Sequence, residues 1–166
     1  MKTAAALAFL TLTLAALGQK NQSADDRHAA MDTRGDHAMG FSHLKTTHHF
    51  RLFKDGGAIE VLANDSKDTE SRDMIRMHLA HIAQMFAAGD FDAPLFIHAT
   101  NPPGVQAMIE LRDQIHYQFE KMDSGGKVTI QAADPKALAA IHDFLRFQIV
   151  EHQTGDPTTV TGVGVK

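Results

Sequence analysis

The chain has 166 residues, a formal net charge of -4, eleven histidines and no cysteine. Disulfides, thiol chemistry and covalent haem attachment are excluded, so a folded domain must rest on its core, a partner or a bound ion. The acidic balance and the lack of tryptophan argue against nucleic-acid binding, which wants a positive field.

In chain order, Met1 and Lys2 precede an uncharged apolar run over residues 3–17, and Ala16-Leu17-Gly18 offers a small-x-small cleavage pattern. Residues 1–18 therefore read as a secretory signal peptide, too short to span a bilayer comfortably. The expected product is periplasmic or secreted, with no membrane association after cleavage. Residues 19–38 carry no apolar periodicity and predict a disordered lead-in. One domain is expected over residues 39–157, followed by a flexible tail at 158–166.

Residues 46–63 and 116–132 each read as two β-prone runs, broken at Asp55-Gly56-Gly57 and at Asp123-Ser124-Gly125-Gly126. Glycine supplies the positive φ that hairpin loops need. An Asp follows each hairpin near a helix start, Asp65 before a run to Ala88 and Asp134 before a run to His152. The unit ββα thus recurs at a spacing of about 68 residues. Between the units lie a connecting loop over residues 91–100 and a short helix after Pro102-Pro103-Gly104. Phe50, Leu52, Ile59, Val61, Tyr117, Phe119, Val128 and Ile130 share one strand parity and predict a covered face, with the opposite face wetted. The expectation is a two-layer α+β fold, an antiparallel sheet of four or more strands with helices on one face.

Helix 67–88 carries two stripes. Ile75, Leu79, Ile82 and Phe86 form a core line, and Met74, His78, His81 and Met85 run beside it at the same spacing. Two imidazoles three residues apart can address one ion, and thioethers favour copper or another late transition metal. Inward-facing His48, loop residue His98 and helix residue His142 complete the predicted ligands, with His49 turned away. His116 reads as solvated, and His152 as a helix C-terminal cap.

No HExxH, GxSxG, P-loop or dinucleotide fingerprint is present. Several segments, MGFSHLKTTHHF, HLAHIAQMFAAGDFDAPLFIH, NPPGV and ADPKALAAIHDFLRFQIVEHQTGDP, resemble a family of small, exported, uncharacterised bacterial proteins, over roughly residues 39–157. Some relatives carry an automatic name of aspartate carbamoyltransferase, but the Ser-Thr-Arg-Thr phosphate-binding run of that enzyme is absent here. The resemblance implies no residue roles. The first functional expectation is a periplasmic copper-like metal-binding protein using His48, His78, His81, His98, His142, Met74 and Met85. The alternatives are a metal-free binding or self-assembly module, a homodimer being the simplest form, and a small-molecule enzyme using His98, His142 and Arg146.

Overall fold

The structure, a computed structural model, describes residues 23–162; the expected signal peptide lies outside the described residues. Four strands of equal length form the sheet: β1 (Thr46–Phe53), β2 (Gly56–Ala63), β3 (Ile115–Met122) and β4 (Gly125–Ala132). They run antiparallel in the order β1-β2-β4-β3. Among the described residues five α-helices accompany them: α1 (Ala24–Met39), α2 (Thr69–Ala87), α3 (Asp92–His98), α4 (Val105–Glu110) and α5 (Pro135–Glu151). The two-layer α+β expectation holds.

The strand register reveals an internal two-fold. Thr46 and Ile115 open equivalent strands 69 residues apart, as do Gly56 and Gly125. Across the central β2–β4 pair, Gly57 faces Ile130 and Val61 faces Gly126, while Ile59 faces Val128 at the middle. Shifting each partner by one repeat reproduces the same pairs, so a pseudo-two-fold axis passes between Ile59 and Val128. The helices exchange across this axis. α2 packs chiefly on β3 and β4, and α5 chiefly on β1 and β2. Neither ββα unit closes a core alone, which makes the two units one domain.

The predicted inward parity is observed: Phe50, Leu52, Ile59, Val61, Val128 and Ile130 are buried, and Tyr117 and Phe119 pack against them. Phe86 stacks on Phe91 at 4.3 Å, and Phe144 meets both edge-on at 5.9 Å. The glycine pairs act differently from the expectation. The hairpin loops are Lys54-Asp55 and Asp123-Ser124, and the glycines open the following strands. Gly56 alone of the four has a positive φ, at 150°. A Cβ on Gly57 would collide with Leu145 of α5 and with the Arg51 carbonyl, so its role is to let the helix approach.

Four boundaries need correction. The predicted disorder over residues 19–38 gives way to helix α1 from Ala24 onward. Ser23 and Asp26 form a reciprocal capping box, Gly40 closes the far end in the left-handed region, and Met31 and Gly35 are buried. The tail is held at its start: the Thr161 amide donates to Leu52 O at 2.9 Å and the Lys54 amide to Gly162 O at 3.0 Å. These bonds occupy the outer edge of β1, which otherwise offers unpaired backbone groups. The expected loop over 91–100 contains α3, with His98 as its last residue. Asp68, not Asp65, caps α2, accepting from the Ser71 amide at 3.0 Å.

Candidate functional site: a histidine-lined cleft

Helix α1 and the turn that follows it build one wall of a cleft. On α1, His28, Asp32, Asp36 and Met39 fall at spacings of four, four and three, so they share a helix face. The chain reverses at Gly40, and Phe41 and a single 3₁₀ turn (His43–Lys45) bring His43 back over that face. Asp36 Oδ1 accepts from the His43 amide at 2.7 Å and from its ring Nδ1 at 2.9 Å. A carboxylate can only accept, so Nδ1 carries a proton and Nε2 is the ring nitrogen left to act as a ligand. That Nε2 lies 3.7 Å from Asp32 Oδ2, and His28 Nε2 lies 3.7 Å from the same oxygen.

The opposite wall comes from β1 and the end of α5. His48 keeps the predicted inward parity, and His152 caps α5 but turns its ring inward. The two rings face each other nearly parallel, at 5.9 Å and 6°. The cleft between the walls has a volume of about 240 Å³, and Met31 and Met39 also line it. Below it, His48 and His152 form part of the rim of a smaller apolar pocket that reaches His78 and His98. The His98 ring meets His152 edge-on at 5.1 Å, and His78 meets Phe41 edge-on at 5.8 Å.

These inner rings are held neutral. Burial first, then the neighbouring His78, His43 and His49 charges, lower the His48 pKa to about 4 against the weak opposing pull of Asp36. Burial and then His81 lower His78 to about 4. Burial, followed by His48, His98 and His28, brings His152 to about 3. Burial also lowers His98, opposed by its hydrogen bond to Gln148 and by Glu151.

The predicted ligands separate into two groups. His48, His78 and His98 border connected space, whereas three features of the prediction fail on geometry. His81 is exposed on α2. Met74 and Met85 pack against the hydrophobic core instead of a ligand site. His142 is buried beside the β1–β2 turn, its Nε2 at 2.8 Å from Phe53 O and 3.0 Å from Gly56 O, which assigns it a structural role. The enzyme triad fails with it. His98 bonds Gln148, which lies six residues and roughly 9 Å along α5 from His142. Arg146 is engaged by Thr158 O and Asp143. His49 faces outward, where Asp156 meets it at 3.1 Å.

Sequence reasoning missed His28, Asp32, His43 and His152. The legible signal was Ser23-x-x-Asp26, a capping box ahead of the His28-x₃-Asp32-x₃-Asp36 stripe. Among the described residues, no three His, Asp or Glu side chains already stand together as a ready coordination site. No helix among them is long and apolar enough to cross a membrane. No family model matches the chain, and no curated protein or solved structure matches it either.

Proposed function

We propose that the chain is an exported protein that binds a late transition metal, copper(II) foremost, at the mouth of this cleft. His28, Asp32 and His43 are the ligands, and Met31 and Met39 form a soft wall beside them. The observation that carries the reading is Asp32 Oδ2, which lies 3.7 Å from both His28 Nε2 and His43 Nε2. Cis ligands around a tetragonal copper(II) ion with bonds near 2.0 Å stand roughly 2.8 Å apart, so each ring must close on Asp32 by about 1 Å. His28 and His43 are each about one third exposed and have room to turn. The Asp36–His43 bond matches the carboxylate that orients a metal-bound imidazole through its far nitrogen.

The test is electron paramagnetic resonance of the copper(II)-loaded, untagged protein. The expected spectrum carries nitrogen hyperfine structure from two imidazoles, reduced to one by His28→Ala or by His43→Ala. Asp36→Asn should retain the spectrum and weaken affinity by about 10- to 100-fold. Identical spectra and affinities in all of these variants overturn the assignment.

Self-assembly is a second reading with one observation behind it. Among the described residues β3 ends the sheet with no neighbouring strand beyond it, while the β1 edge is met by Thr161 and Gly162. A homodimer through β3 edges would bury that free edge. Size-exclusion mass measurement at micromolar concentration tests it, and a monomer throughout removes it.

A further inference from the structure

The cleft and the apolar pocket beneath it meet at a neck. Among the residues that line these two spaces, Met39, His48 and His152 line both. Met39 ends α1, His48 stands on β1 and His152 follows α5, so three separate elements converge there. Neither imidazole makes a hydrogen bond among the described residues, and neither carries a sealed, unpartnered nitrogen of the kind found in His98 and Gln148. Ring nitrogens that are neither bonded nor sealed open onto the spaces the rings line. With no bond to hold it, each ring can turn about its Cβ–Cγ torsion, which is broad for histidine, to aim a nitrogen into the neck.

Spacing and chemistry both suit one ion. Two imidazoles on one ion, with bonds near 2.0 Å and an angle of about 120–180°, hold their ring centres roughly 5.4–6.3 Å apart. The His48 and His152 ring centres are 5.9 Å apart. Burial keeps both rings neutral, His48 with a pKa of about 4 and His152 of about 3, so each has a lone pair at neutral pH. Imidazole joined to a thioether favours copper(I). No carboxylate lines the apolar pocket below to offset a second charge. The Born cost of a buried ion grows with the square of its charge, so a monocation costs about a quarter of what a dication does.

We propose that the neck is a separate copper(I) site, with His48 and His152 as nitrogen ligands and Met39 as the sulfur ligand. It shares no ligand with His28, Asp32 and His43 and stands without that assignment. The test is anaerobic titration of the full, untagged protein with copper(I) against the chelator bicinchoninate, joined to X-ray absorption at the copper edge. The wild type should withdraw about one equivalent and show a sulfur neighbour beside two imidazole nitrogens. Met39→Leu keeps the side-chain size; it should remove the sulfur signal and weaken binding at least about tenfold. His48→Leu should leave a single imidazole. His28→Ala combined with His43→Ala should leave copper(I) affinity and spectrum unchanged, which separates failure here from failure at the mouth. A wild type that withdraws no copper, or whose spectrum lacks sulfur, overturns the proposal. So does an unchanged spectrum in folded Met39→Leu or His48→Leu protein, or lost copper(I) affinity in the folded double variant.

Discussion

Acid should unfold the metal-free protein earlier than its carboxylates alone dictate, because three imidazoles are kept neutral inside it. His48 and His78 take a proton only near pH 4, and His152 only near pH 3, when folded. In the unfolded chain each takes one near pH 6.5. Between those limits the unfolded state binds more protons, so stability falls as pH falls. Each site contributes about 1.4 kcal/mol per pH unit, beginning at 6.5 and ending at its folded value. Together the three steepen the loss to about 4 kcal/mol per unit, or roughly 6 kcal/mol by pH 5. That is comparable with the whole stability of a typical domain, about 5–15 kcal/mol. Asp36 pulls His48 the other way without reversing the shift. The assay is urea unfolding in EDTA at half-unit steps from pH 7.5 to 4.5, for the wild type and His152→Leu. The variant should lose about one third of the slope below pH 6.5. A wild-type stability that is flat from pH 7 to 5, or parallel curves for the two proteins, refutes the reasoning.

Two further outcomes follow from the same geometry. His142→Leu removes the imidazole contact to the Phe53 and Gly56 carbonyls and should cost about 2 kcal/mol in urea unfolding, with metal stoichiometry unchanged. Asp156 serves the outward side of β1: its carboxylate accepts from the Phe50 amide at 3.0 Å and from His49. Burial pushes the Asp156 carboxyl up, but the bonds from Phe50, Thr154 and His49 outweigh it and hold the pKa below its usual value. Asp156→Ala should destabilise by about 1–3 kcal/mol and speed hydrogen exchange at the Phe50 amide. Unchanged exchange there would mean that the tail does not guard the edge.

The sheet was legible because its signals are local. Alternation along Phe50–Leu52 and Val128–Ile130 reports directly on burial, and the paired glycines marked both hairpins. Helix α1 escaped because its buried side is only Met31 and Gly35, too thin a stripe to register as amphipathic. Without α1 as a helix, His28, Asp32 and Asp36 have no common face, and α2 is the helix whose spacing gathers histidines. There the spacing of His78 and His81 was right, but helix rotation sends His78 inward and His81 to solvent. His142 showed the opposite error, a buried histidine satisfied by two carbonyls from a turn 86 to 89 residues away in sequence. Burial can be inferred from periodicity, whereas a hydrogen-bond partner that distant cannot.

Metal content of untagged protein, before and after loading with copper(II) and dialysis, tests the central claim most directly. The account predicts about one tightly held equivalent in the wild type and in His142→Leu, and its loss in Asp32→Asn combined with His43→Ala. Less than about a tenth of an equivalent in the loaded wild type, or full retention in the double variant, contradicts it.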